Sequence, residues 1–310
     1  MYLFLQEVIV GLANGAIYAL IALGYTMVYG IIELINFAHG DIFMIGTFVS
    51  ITVLNILGVS IGSQLVGGSL VAVMVITALI CIIVCAVLGV VIERVAYRPL
   101  RNAPRLAPLI SAIGVSLVLE NVGLLWKGLN LVSFPQFFAF PFNNVSWHIG
   151  PPLPDGIDIK AVNIVVVAIA LILMVALQWM VSSTRIGRAM RAVAQDREAA
   201  ALMGVNVDRI IAITFFIGAG LAGAAAFIYG LQFPSTIFSV GFTLGLFAFT
   251  AAVLGGIGNL VGAMLGGVLI GIIESVSSLI PDSTQAGSNG IGLPHGGSAW
   301  HEAVIFAVLI

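Results

Sequence analysis

Charge is what this chain has least of. Of its 310 residues, 8% are Asp, Glu, Lys or Arg, against about 25% in a soluble domain. So few charges cannot cover the surface of a protein this size in water, which excludes a soluble globular fold. Lysine is nearly missing: Lys127 and Lys160 are the only two, and neither follows a glycine. There is no phosphate-cradling G-x-x-x-x-G-K-[ST] loop, so any ATP that drives this protein must be held by another subunit. The two cysteines, Cys81 and Cys85, stand four positions apart in an apolar run. Two thiols can neither close a zinc site nor build a disulfide framework, and they read as small buried side chains. H-E-x-x-H and G-x-S-x-G are missing too, which argues against an intramembrane enzyme. No stretch alternates in polarity as an outer-membrane barrel strand does. The net charge of −2 points to no anionic partner.

What the chain has is apolar length. It is 61% hydrophobic, with a mean hydropathy of +1.19, so its solvent is a bilayer and its fold class is an all-α polytopic membrane protein. A spanning helix needs about 20 apolar residues. Eight runs qualify or nearly so: 8–32, 42–57, 65–92, 106–126, 161–180, 210–231, 241–256 and 260–280. A ninth starts at Ala303 and stops after eight residues at Ile310, so a truncated last helix is expected there. "MYLFLQE" has no basic region and carries Glu7, so the first run is expected to stay as a membrane helix rather than be cleaved. Residues 1–310 read as one transmembrane domain.

The few charges are unevenly placed. Arg94, Arg98, Arg101 and Arg105 share one connection; Arg185, Arg188, Arg191, Arg197 and Arg209 share another; together they are nine of the eleven basic residues. Basic loops stay in the cytoplasm, so both connections are expected there, with the segment 127–160 outside. Counting back puts the N-terminus outside and residues 33–41 on the cytoplasmic side. The external segment is rich in proline and aromatics and suits an interfacial loop or a partner's landing surface. The cytoplasmic segment 185–209 places Arg188, Arg191, Gln195 and Glu198 at helical spacing. A single short helix over 188–206 would either touch anionic headgroups or dock a cytoplasmic protein.

Glycine is plentiful, with 36 residues. In lipid, helices associate through close van der Waals packing, and small residues permit it. Gly258, Gly262 and Gly266 make a four-residue stripe, and Gly255, Gly256 and Gly258 predict an irregular turn between a short helix and the next. Irregular backbone at membrane depth must be enclosed by protein or line a wet cavity, so pathway side chains are expected around 242–250. "GAGLAG", residues 218–223, matches the dinucleotide pattern but lies in one apolar helical run rather than after a strand, so no nucleotide site is read there.

Polar groups inside apolar runs are functional candidates by default. "IIELINFAHGD", residues 31–41, brings Glu33, Asn36, His39 and Asp41 together. It suits a turn in which Gly40 ends one helix and Asp41 caps the next, a re-entrant segment, a gate, or a proton or metal site. Glu120 and Asn121 read as the external end of their run. Glu274 stands beside Ser275, Ser277 and Ser278. It suits a helix-end residue satisfied by those serines, or a partner for a substrate ammonium.

"EAAALMG" resembles the E-A-A-x-x-x-G signature in the cytoplasmic loop of binding-protein-dependent permeases, with Glu198, Ala199, Ala200 and Gly204 in its four places. "GYTMVYGIIELINFAHGDIFMIGTF", "IERVAYRPLR", "LISAIGVSL", "GRAMRAVAQDREAAALMGVN" and "FTAAVLGGIGNLVGAMLGG" are, in that order, similar to the branched-chain amino acid permease family of bacterial ABC importers. The resemblance implies a multi-pass subunit of the bacterial inner membrane that moves leucine, isoleucine or valine inward by alternating access. It implies a second permease subunit, two cytoplasmic ATPase subunits that hold the ATP, and an extracytoplasmic solute-binding protein, with no cofactor of its own. It also implies that Arg188, Arg191, Glu198, Ala199, Ala200 and Gly204 serve ATPase coupling. Relatives of this kind carry urea, amides or other amino acids. An ion-coupled secondary transporter working through Glu33, His39, Asp41 or Glu274 is the competing reading, and the "EAAALMG" loop favours the importer.

Overall fold

The computed structural model describes residues 2–59, 68–101, 103–104, 106–135, 146–149, 157–280 and 297–308. Arg105 and the first residues of the run at 65–92 lie outside them, as does half of the 127–160 segment. Helices α1 (Tyr2–Ile32), α2 (Ala38–Ile56) and α3 (Gly68–Ile92) come first. A π turn (Glu93–Tyr97) and a 3-10 turn (Arg98–Leu100) continue α3. Then come α4 (Leu106–Lys127), the short strands β1 (Val132–Ser133), β2 (Ser146–Ile149) and β3 (Ile157–Lys160), and α5 (Ala161–Ser183). Segment 185–209 forms α6 (Arg185–Gln195) and α7 (Arg197–Leu202), followed by α8 (Val207–Gln232), β4 (Ser235–Thr236), α9 (Val240–Leu254), α10 (Leu260–Ser277) and α11 (Gly297–Ala307).

Seven of these helices are long and apolar enough to cross a membrane, and α9 is a shorter apolar one. The protein is all-α and polytopic. The expected ninth helix begins earlier than Ala303, at Gly297, and ends at Ala307. Helices α1, α2 and α8 are mostly buried and form the centre, while α3, α4 and α5 turn apolar faces outward. The helix starts near the cytoplasmic connections are set by short polar side chains, as capping requires. Thr184 accepts from the Gly187 N–H at 3.1 Å, Asn206 from Arg209 at 3.0 Å, and Asn259 from Gly262 at 3.2 Å.

The ends of the bundle sort as the charges predict. Gln6 exchanges two hydrogen bonds with the Asp158 backbone, at 3.0 and 2.8 Å, so the start of α1 lies with the 127–160 segment. Arg197 donates to the Ile31 carbonyl at 3.0 Å, so the end of α1 lies with the cytoplasmic segment. Arg98 reaches Asp208 at 2.7 Å, and Arg101 bridges Asp208 and Glu93, which joins the two basic connections at that same end.

Glycine contacts lock the centre. A methyl on Gly271 would sit 2.2 Å from the Gly15 nitrogen, and one on Gly267 would sit 2.4 Å from the Ala19 Cα, so α10 lies backbone to backbone on α1. Cys81 and Cys85 point at the carbonyls of Gly46 and Ile42 and are fully buried, in keeping with packing residues. Within "GAGLAG", Gly218 faces Gly24 and Gly223 faces Cys81: these glycines serve helix packing.

Candidate functional site

The stretch 31–41 is a break inside the protein. α1 ends at Ile32, and Glu33 is the one non-glycine residue among those described with positive φ, +55°. Residues 33–37 are irregular, and α2 starts at Ala38. Its first turn lies deep. Asp41 accepts a hydrogen bond from Ser116, the eleventh of the 22 residues of α4. The His39 ring lies over Gly24, eight residues or about 12 Å before the end of α1 at 1.5 Å per residue. The helix-stop and N-cap reading of Gly40 and Asp41 is therefore corrected. Both are inside α2, Phe37 at the cap position makes no side-chain bond, and Asp41 bonds sideways to α4. Gly40 is there for space: a methyl on it would lie 2.3 Å from the Gly241 carbonyl oxygen.

That contact exposes a second break that sequence reasoning treated as an ordinary connection. After α8, residues 233–239 carry β4, which pairs with β1 (Val132 with Thr236, Ser133 with Ser235). Thr236 meets Thr47 of α2 at 3.2 Å. α9 then starts with Gly241 and Gly245 against Gly40. α2 and the shorter α9 thus begin side by side, level with the middle of α4. Irregular backbone at this depth persists because protein encloses it. The positive ends of both helix dipoles meet at one place.

The side chains gathered there are buried and incompletely paired. Asn36, His39 and Asp41 are each 1–2% exposed. Tyr97, on the π turn, donates to the Asn36 Oδ1 at 3.0 Å. Asn36 Nδ2, His39 Nε2 and Asp41 Oδ1 have no hydrogen-bond partner among the described residues. Leaving such a group unpaired costs about 1–3 kcal/mol, and three in one place mark a site rather than a core. Tyr25 stacks edge-on against His39 with centroids 4.8 Å apart. Beside this group a cavity of about 520 Å³ opens between α4 and α9, lined by Tyr25, Phe37, Ser116, Glu120, Gly241 and Phe242 among others. The expected pathway region, 242–250, contributes Phe242, Gly245 and Leu246 to it. Tyr25, Phe37, Tyr97 and Ser116 carry no charge; they lie in blocks that resemble the family, and their placement is what singles them out.

Other candidates fall elsewhere. Glu274 accepts from the Tyr18 hydroxyl of α1 at 2.6 Å, while Ser277 and Ser278 bond back to helix carbonyls, so Tyr18 rather than the serines satisfies it. Glu120 is not at a helix end: α4 runs seven residues further, to Lys127. Asn121 bonds to its own helix at Leu117. Gly262 and Gly266 pack α10 onto α9, with methyl positions 1.8 Å from the Gly255 oxygen and 2.2 Å from the Ala251 oxygen. Gly258 is not in that stripe. It precedes α10 with φ +95° and meets nothing on its Cβ side. The turn it belongs to lies near Gly30, two residues before the end of α1.

Segment 185–209 starts as two helices rather than one. Asp196 is extended and caps α7, accepting from Glu198 and Ala199 at 2.9 and 3.0 Å. In α6, Arg188 is exposed and the Arg191 guanidinium bonds to the Val181 carbonyl. In α7, Ala200 is buried while Glu198 and Ala199 are exposed. Gly204 ends α7 in the left-handed region, φ +83°. The Gly204 and Val205 N–H groups return to Ala201 and Ala200, both at 3.0 Å, which is the glycine-closed helix end called a Schellman motif. Nothing lies within 4 Å of a Gly204 methyl position, so within this chain the glycine meets a conformational requirement. A cleft of about 410 Å³ separates Glu33 and Leu34 from Asp196 and Arg197.

Comparison with known proteins completes the picture. The family described as "Branched-chain amino acid transport system / permease component" matches residues 8–310. The high-affinity branched-chain amino acid transport system permease protein LivH of Escherichia coli is 44% identical over 279 residues, covering 89% of this chain and 86% of that protein. BraD, the corresponding permease protein of Pseudomonas aeruginosa, is 44% identical over 275 residues, covering 88% and 86%. A more distant match, the autoinducer 2 import system permease protein LsrC of Yersinia pseudotuberculosis, is 30% identical over 118 residues, or 36% of this chain and 34% of that protein. No solved structure matches. The resemblance read from the five sequence blocks is borne out: the chain belongs to the permease-component family of branched-chain amino acid transport systems.

Proposed function

We propose that this chain is the membrane-spanning subunit of an ATP-driven importer in a bacterial inner membrane, moving branched-chain amino acids inward by alternating access. A second permease subunit completes the pathway, two ATPase subunits bind below, and an external binding protein delivers the substrate. One observation carries the coupling: the Asp196–Arg197 junction of α6 and α7 holds the end of α1 through the bond from Arg197 to Ile31. Ile31 leads straight into the irregular residues 33–37 and the buried group at Asn36, His39 and Asp41. A push on α6 and α7 by an ATPase therefore reaches the mid-depth break through covalent chain and one hydrogen bond. Exposed Glu198 and Ala199 are the faces left for the ATPase.

The test uses the assembled importer in vesicles, with leucine uptake and ATP hydrolysis measured together. Wild type should import leucine only with ATP and binding protein present. Glu198→Lys, which reverses an exposed charge, and Arg197→Ala, which cuts the tie to Ile31, should lower uptake while ATP hydrolysis continues. Normal uptake in both variants would remove the segment from coupling. Uptake driven by a proton or sodium gradient without ATP would replace the importer by a secondary carrier.

A further inference from the structure

The cavity between α4 and α9 has a composition that fits one chemical class. Its volume, about 520 Å³, is within the range of about 300–1,000 Å³ typical of small-molecule sites. Ile113, Leu117, Phe242 and Leu246 make its aliphatic and aromatic lining. Polar groups share the α4 face, because residues 113, 116, 117 and 120 follow helical spacing. Glu120 lines the cavity directly, and so does Ser116, whose hydroxyl is committed to Asp41. Asp41 is 1% exposed and keeps one oxygen, Oδ1, without a partner. Glu120 follows Ser116 by one helical turn on α4. Gly241 and Phe242 bring the first turn of α9 to the same space. A first helical turn leaves N–H groups without intrahelical acceptors and carries the positive end of the dipole. A lining carboxylate, a helix N-terminus and an apolar surface are the three features a zwitterion with an aliphatic side chain needs.

We infer that this cavity is a binding site for the amino acid in passage. Glu120, backed by Asp41 through Ser116, takes the α-ammonium group. The first turn of α9 faces the α-carboxylate, and Ile113, Leu117, Phe242 and Leu246 hold the side chain. Ile113, Leu117 and Phe242 are 44%, 55% and 57% exposed in the single chain, so the site lies on the face of α4 and α9. There it is reached by the substrate when the importer is open. The inference rests on the reading of the chain as an amino acid importer.

The experiment labels Leu117→Cys with N-ethylmaleimide in the complete purified importer. The native Cys81 and Cys85 are both 0% exposed and give a low background. Leucine at ten times its dissociation constant should slow labelling by about tenfold, by simple occupancy. Isocaproate, which lacks the ammonium group, and isoamylamine, which lacks the carboxylate, should not protect. Glu120→Gln should abolish protection by leucine without changing the rate of labelling in its absence, and Glu120→Asp should restore part of it. The proposal is overturned if Leu117→Cys resists labelling without leucine, if leucine leaves the rate unchanged, or if isocaproate protects equally well. Wild-type uptake of leucine is measured first on the same preparation. If that uptake is missing, the functional reading fails; if it is present without protection, the site alone fails.

Discussion

The backbones of Gly40 and Gly241 touch: a methyl on Gly40 would be 2.3 Å from the Gly241 oxygen, and a methyl on Gly241 would be 2.7 Å from the Gly40 oxygen. This contact joins the starts of α2 and α9 and so fixes the depth at which both helices begin. Neither neighbour is a flexible side chain that could swing away. Gly40→Ala and Gly241→Ala should therefore separate the two starts, with the cost of about 1–3 kcal/mol usual for overpacking. Leucine uptake should fall to background while the protein still inserts. Gly114, which has nothing within 4 Å of its methyl position, provides the control, and Gly114→Ala should import normally. Normal uptake by Gly40→Ala would mean that the break tolerates a shift of its two helices.

Of the three ion pairs where the two basic connections meet, Arg98–Asp208 and Arg101–Glu93 are of very different worth. Arg98 and Asp208 are half exposed, 52% and 51%, and such pairs contribute about 0–1 kcal/mol. Arg101 is 17% exposed and Glu93 only 2% in its side chain. Removing one partner of a buried pair strands the other, at about 3–5 kcal/mol. Arg101→Ala should lower the unfolding temperature of the purified protein clearly, and Arg98→Ala should barely move it. Adding Glu93→Gln to Arg101→Ala should recover part of the loss, because the stranded charge is gone. Equal shifts for the two arginine variants would contradict the burial argument.

Much of this architecture was legible beforehand, and for identifiable reasons. Apolar runs carry helix existence and arginine placement carries which connections share an end, because bilayer thickness and loop charge act on sequence directly. The ends of the bundle accordingly sort as Gln6–Asp158 and Arg197–Ile31. The mid-depth break was misread for an equally physical reason. Gly followed by Asp is local boundary chemistry, whereas Gly40 and Asp41 answer to partners about 75 and 200 residues away, Ser116 and Gly241. The same holds for Glu274, whose adjacent serines were more visible than the distant Tyr18. The break at 233–239 had no signal at all, since it depends on the pairing of Thr236 with Val132.

Gly204 separates conformation from packing. Its φ of +83° suits glycine, and its methyl position is empty. A left-handed conformation costs an ordinary residue about 1–2 kcal/mol, and asparagine less. Gly204→Ala should loosen the end of α7 and lower ATP-coupled uptake, while Gly204→Asn should keep most of it. The ratio of uptake to ATP hydrolysis is the measurement. If both variants lose coupling equally, a surface on the ATPase rather than the backbone angle requires glycine here.

Gly262 and Gly258 are four positions apart and should respond in opposite ways. α9 has 15 residues, about 22 Å at 1.5 Å per residue, which is short of a hydrocarbon core of about 30 Å. It therefore depends on α10 and on the breaks at its ends for its position. The contact that holds it is backbone on backbone: a methyl on Gly262 would lie 1.8 Å from the Gly255 oxygen, and one on Gly266 would lie 2.2 Å from the Ala251 oxygen. Gly262→Ala cannot be absorbed by a rotamer change and should push α10 away from α9, so the pathway face at Phe242 and Leu246 is misplaced. Gly258 has φ +95° and no neighbour at its methyl position, so its requirement is conformational, as at Gly204. Gly258→Asn should import leucine at a substantial fraction of the wild-type rate, while Gly262→Ala should import none, with both proteins present in the membrane in similar amounts. If Gly262→Ala imports normally, the α9–α10 contact does not set the pathway. If Gly258→Asn is the more damaging variant, the turn rather than the stripe positions α9.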